Sequence, residues 1–173
     1  MTHHLARIAA ALGLLVLAGQ AHAEDPVARG RYLVEFGGCG DCHTAGHFTH
    51  QPAPGILGGS DVGFGIPGVG VFIGPNLTPD KATGLGSWTD EQIADAITKG
   101  VRPDGRVLSP MMPWEGFAHL SHADVMAIVA YLRTLPPISH KVPGPYGPTQ
   151  TPDVLVMTIV PGPVFASFKP PPK

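Results

Sequence analysis

The chain has two cysteines, three positions apart, with a histidine directly behind the second: Cys39-Gly40-Asp41-Cys42-His43. C-x-x-C-H is the spacing of covalent haem attachment. Two thiols add across the two vinyl groups of one haem edge, and the imidazole that follows is held at the iron as its proximal ligand. Three other chemistries use part of this pattern. A C-x-x-C pair can be a dithiol redox site, which calls for a βαβ setting. It can be half of a zinc site, with His47 and His50 as further ligands. It can be a plain disulfide, the default in an oxidising compartment. Five matched positions and the lack of a second cysteine pair favour haem.

An iron held by one histidine has a second axial position to fill. Methionine there raises the reduction potential and closes the iron to external ligands, which suits electron transfer; its soft thioether favours the reduced metal. The candidates are Met111, Met112, Met126 and Met157. Met126 falls on the apolar period of a helix and reads as core. Met157 lies in a Pro-rich tail. Met111 and Met112 sit between Pro110 and Pro113, in a loop stiff enough to present a ligand. His47, His50, His119, His122 and His140 are the competing donors. His119 follows the methionine loop closely, and His122 stands at a helix start, where it reads as solvated.

The elements that must position these residues are short helices. Pro26 to about Phe36 carries Val27, Gly30, Leu33 and Val34 on helical spacing behind an Asp25 N-cap, and Gly37-Gly38 ends it. Thr89-Asp90-Glu91-Gln92 has the form of a capping box ahead of Ile93, Ala96 and Ile97, with Gly100 as the stop. Ser121 caps a last helix with Val125, Ile128, Val129 and Leu132 inward, stopped by Pro136-Pro137. Residues 44–74 read as a long Gly/Pro loop, with at most a short strand over 69–73. Three short helices make a thin core, and a large apolar group at the centre would complete it.

The N-terminus reads as a secretory leader over residues 1–23: Arg7, an apolar run from Ile8 to Ala18, then Ala21-His22-Ala23 as the cleavage site. The run is short for a bilayer span. Export would leave residues 24–173, one domain's worth of chain. With 11 Lys and Arg against 13 Asp and Glu, the net charge is −2. That excludes the basic face that nucleic acid requires. Residues 24–140 form the expected domain and 141–173 a Pro-rich C-terminal extension. Its one apolar run, 154–160, is too short to cross a membrane and reads either as an extended segment along the domain or as a partner-binding surface.

Gly30-Arg31-Tyr32-Leu33 followed by Cys39 to His43 resembles the first helix and haem site of class I cytochromes c. The segments 76–89, 100–106, Met112-Pro113-Trp114 and 130–137 resemble a single haem module of the cytochrome subunits of membrane-associated alcohol, aldehyde and gluconate dehydrogenases. Those subunits often carry three haem modules; this chain has one C-x-x-C-H. The resemblance implies an all-α class I cytochrome c fold around one covalent haem c. It implies Met112, the methionine directly before Pro-aromatic, as the distal ligand. It also implies that the Pro75 carbonyl accepts a hydrogen bond from His43. Trp88 has two readings, a donor to a haem propionate or a staple ahead of the Thr89 cap. Arg102 and Arg106 either neutralise propionates or are exposed turn residues. Gly30 and Tyr131 fit the crossing of first and last helices, and Trp114 and Phe117 the walls of the haem pocket. The implied function is electron transfer in the periplasm rather than catalysis by side chains. A dehydrogenase would be the donor and an oxidase or another cytochrome the acceptor, with attachment to a membrane-bound complex through the extension. The competing functions are a haem enzyme or gas sensor with an open sixth position, and a docking subunit of a larger redox complex.

Overall fold

The computed structural model describes residues 24–51 and 53–168, so the leader read over residues 1–23 lies outside the described residues. Helix α1, Pro26–Phe36, starts as the sequence requires: the Asp25 side chain accepts from the Val27 N–H and Pro26 occupies the first turn. A five-residue helix α2, Cys39–His43, follows immediately. Helix α3 spans Asp90–Thr98 behind a complete capping box, in which Thr89 and Gln92 bond each other's backbone N–H. A single turn α4, Trp114–Phe117, precedes α5, His122–Thr134, which Ser121 caps by accepting from the Asp124 N–H.

The first and last long helices cross in tight contact. A Cβ at Gly30 would lie 1.8 Å from the Ala127 carbonyl oxygen and 2.9 Å from the Tyr131 Cβ, so the backbones meet only because residue 30 has no side chain. Around this crossing gather Val34, Ile93, Ile128, Val129, Leu132 and Leu135, with Leu57 and Leu85 from the intervening loops. Arg133 ties α5 to the segment ahead of α3, donating to the Leu85 and Trp88 carbonyls and pairing with Asp90.

The helical frame agrees with the sequence reading, and the long loop adds a small sheet to it. Strand β1, Val62–Ile66, pairs antiparallel with β2, Gly70–Ile73. Strand β3, Leu155–Thr158, comes from the C-terminal extension and adds in parallel to the other edge of β1. Val-Gly-Phe-Gly-Ile alternates three strand-favouring residues with glycines that weaken a strand, and those glycines leave room for the neighbouring strands. Cβ atoms at Gly63 and Gly65 would meet the side chains of Val71 and Val156 at 2.4 and 2.9 Å. The extension is also bound through Tyr146, which exchanges both backbone hydrogen bonds with Val71 at 2.9 Å. All four β3 residues are nevertheless exposed, as is all of the short helix α6, Gly162–Ser167.

Candidate haem site

The C-x-x-C-H motif is folded as helix α2, which turns Cys39, Cys42 and His43 out of one compact turn. His43 is buried, 7% exposed. Its Nδ1–H donates to the Pro75 carbonyl oxygen at 2.8 Å. With Nδ1 carrying the proton, the other ring nitrogen, Nε2, has the lone pair that a neutral imidazole offers to a metal. Burial lowers the pKa of the imidazole, against a smaller opposing pull from Pro75. The ring therefore stays neutral at physiological pH, as a metal ligand must. The Pro75 loop reaches His43 by passing hard against α2: a Cβ at Gly74 would lie 1.7 Å from the Cys42 carbonyl oxygen and 3.3 Å from His43 Nδ1.

Both cysteines are free thiols. Burial pushes Cys39 up to about 11 and also raises Cys42. A redox-active dithiol needs the opposite, a thiolate made stable near neutral pH. Nor does a third ligand complete a zinc site, since no group of three His, Cys, Asp or Glu residues among the described residues could hold a metal ion. His47 is exposed and lies 3.7 Å from Asp41, and His50 is also exposed.

The turn that follows the methionine pair comes beside the motif. Phe117 Cε1 and Cys39 Sγ both lie 3.8 Å from the position of a Cβ on Gly37, so α4 stands beside the cysteine-bearing turn. Trp114 packs against Gly100, whose added Cβ would meet the indole at 2.6 Å. Of the adjacent methionines, Met111 is 41% exposed and Met112 is half-buried, its carbonyl accepting from the Trp114 N–H at 2.8 Å. His119 and His122 are exposed, and His140 has its Nδ1 bonded to the Gly58 carbonyl oxygen.

A family profile described as Cytochrome c matches residues 27–136, the stretch that contains every element around the motif. The chain belongs to the cytochrome c family. This cytochrome is 38% identical over 130 residues to the cytochrome c subunit of alcohol dehydrogenase (quinone) of Gluconobacter oxydans, which covers 72% of the chain and 26% of the relative. It is 32% identical over 130 residues to the gluconate 2-dehydrogenase cytochrome c subunit of Pantoea cypripedii, covering 73% and 27%. It is 35% identical over 115 residues to the fructose dehydrogenase cytochrome subunit of Gluconobacter japonicus, covering 66% and 22%. The cytochrome thus spans about a quarter of the length of these relatives.

The family's cofactor is one covalent haem c, and the residues fit it. Two free thiols suit the vinyl groups of a haem edge, and a buried imidazole held at Nδ1 suits its iron. Trp88 is half-buried against the core, with the Arg102 guanidinium 5.0 Å from its ring centre. Arg102 pairs with Asp104 at 3.4 Å in the turn, and Arg106 is exposed. A separate cavity of about 670 Å³ opens between the 45–61 loop and the extension, lined in part by Phe48, Asp61, His140 and Leu155. It does not include Cys39, His43 or Met112. The sequence reading missed the polar cluster of buried Asn76 and Thr78 with half-buried Thr83, beside the Pro75 loop. Its one sequence signal was that Asn76 directly follows Gly74-Pro75.

Proposed function

We propose that this cytochrome carries one electron at a time from a dehydrogenase to an oxidase or a second cytochrome, in the periplasm. Cys39 and Cys42 hold the haem, and His43 and Met112 are its axial ligands. The observation that carries this reading is the buried His43 ring, fixed by Pro75 at Nδ1 and open at Nε2. A haem held by these residues would supply the one-electron chemistry, and a site closed by two protein ligands would favour electron transfer over binding of external ligands. The chain's own part is to hold the imidazole in one orientation, to keep it neutral, and to present a thioether from a Pro-flanked loop. Three relatives are cytochrome subunits of dehydrogenases, which supports a dehydrogenase as the donor. No helix among the described residues is long and apolar enough to cross a membrane.

The docking-subunit reading has an observation of its own. Leu155, Val156, Met157, Ile159, Val164, Phe165 and Phe168 are all exposed, and residues 154–168 carry no charge. A contiguous apolar surface of this kind marks an interaction site. Such an arm suits lasting attachment to a dehydrogenase better than the small interfaces of transient electron exchange.

The test is the visible spectrum of the exported protein, oxidised and reduced, in wild type, Met111→Leu and Met112→Leu. A low-spin c-type spectrum whose weak methionine–iron charge-transfer band survives Met111→Leu and disappears in Met112→Leu is expected. A high-spin ferrous spectrum, unchanged by Met112→Leu and altered by carbon monoxide, would put the open-iron enzyme or sensor in its place.

A further inference from the structure

The Pro75 carbonyl decides how His43 is held, yet Pro75 is itself exposed. Something else must keep that carbonyl in place. The next residue, Asn76, is 2% exposed, and its side chain is a four-way junction. Its Oδ1 accepts from the Thr78 N–H at 2.9 Å and from the Thr78 hydroxyl at 2.7 Å. Its Nδ2 donates to the Ile138 carbonyl oxygen at 2.7 Å and to Thr83 Oγ1 at 3.1 Å. The two residues it recruits extend the tie. Thr78, fully buried, accepts from the Ile138 N–H at 3.1 Å, and Thr83 accepts from the His140 N–H at 3.0 Å.

Residues 74–78 are thus gripped from two sides. On one side, the loop ahead of β1 takes their backbone: Ser60 N–H donates to the Gly74 carbonyl at 2.9 Å, and Leu77 N–H to the Leu57 carbonyl at 2.8 Å. On the other, the chain leaving α5 takes the Asn76 side chain. Only an amide serves there, since the site asks for two donated and two accepted hydrogen bonds from one planar group. Asp lacks the donors, and an apolar residue lacks both.

We propose that Asn76 is the positioning residue for the axial histidine: it fixes the Pro75 carbonyl on His43 Nδ1 and so couples residues 138–140 to the electron affinity of the iron. This rests on His43 being the proximal ligand. A hydrogen bond from Nδ1–H to a fixed acceptor makes the imidazole a stronger donor to the metal. A stronger donor stabilises the oxidised iron, so loosening the carbonyl raises the reduction potential.

The experiment compares wild type with Asn76→Ala, Thr83→Val and Thr89→Ala as holoproteins. It reads the reduction potential, the melting temperature and the solvent exchange of the His43 Nδ1 proton by NMR. Asn76→Ala is expected to raise the potential and to speed that exchange about tenfold, the loss of one net hydrogen bond. Thr83→Val, nearly isosteric, should move both the same way by less, and it carries the test alone if Asn76→Ala fails to mature. Thr89→Ala, in the remote cap of α3, should lower the melting temperature and leave potential and exchange unchanged. A purely structural Asn76 would lower the melting temperature while potential and exchange stay at wild type, which overturns the proposal. Failure of the ligand assignment looks different: the wild-type protein then lacks a low-spin histidine-ligated spectrum before any substitution is made.

Discussion

Gly30→Ala tests the packing that frames the haem site. The added methyl would sit 1.8 Å from the Ala127 carbonyl oxygen and 2.4 Å from its carbonyl carbon. Ordinary carbon–oxygen contact needs more than 3 Å, so α1 and α5 must part by more than about 1 Å. Neither neighbour is a flexible side chain that can swing away; both atoms are helix backbone. Overpacking of this kind costs about 3 kcal/mol at the top of its usual range. The gain in helix propensity on replacing glycine offsets about 1 kcal/mol of that. The net loss is about 2 kcal/mol, equivalent to a fall in melting temperature of roughly 4–8 °C for a domain of this size. Gly116→Ala is the control, since a Cβ there meets nothing within 4 Å and should be neutral or slightly stabilising. Thermal unfolding of the oxidised holoproteins, followed at the Soret band and by far-ultraviolet circular dichroism, measures both. A Gly30→Ala protein as stable as wild type, or more so, would refute the claim that direct backbone contact holds these helices.

Thr89→Ala removes one half of the capping box on α3 and should cost about 1 kcal/mol, seen as a melting temperature lower by a few degrees. The Arg29–Asp124 pair at 2.9 Å links the start of α1 to that of α5. The hydrogen bond from Arg29, then that from Ser121, holds the Asp124 carboxyl below the usual carboxylate range. A lowered folded pKa means that the pair's contribution is present above the unfolded value of about 3.9 and is lost as pH falls through the folded one. Wild type should therefore exceed Asp124→Asn in stability at neutral pH and converge with it in acid; a gap that persists after the carboxyl is protonated would count against the pair. Removing residues 154–168 should leave the low-spin spectrum intact and abolish retention on a dehydrogenase-bearing membrane, measured by co-sedimentation; undiminished retention would dismiss the apolar arm as the docking surface.

The chemistry of this cytochrome was readable from five adjacent residues, because covalent haem attachment needs two thiols and an imidazole at fixed spacing on one turn of chain. The helices were readable for a similar reason. Asp25, Thr89 and Ser121 cap them, and caps act within three residues of sequence. Pairing at a distance was another matter. Strand β1 has the sequence Val-Gly-Phe-Gly-Ile, whose glycines mask three strand-favouring residues within a Gly/Pro-rich loop; in the fold those glycines leave room for Val71 and Val156. The extension reads as an arm with a short apolar run, and only the folded chain shows that run lying parallel to β1. Asn76 is one asparagine among loop residues until Ile138, 62 positions later, comes to its amide. Ligand type, caps and apolar period are local properties, determined by the sequence itself. The resemblance named the Pro75 carbonyl as the partner of His43, but what holds that carbonyl there, Asn76 tied to residues 138–140, depends on segments that only the fold brings together.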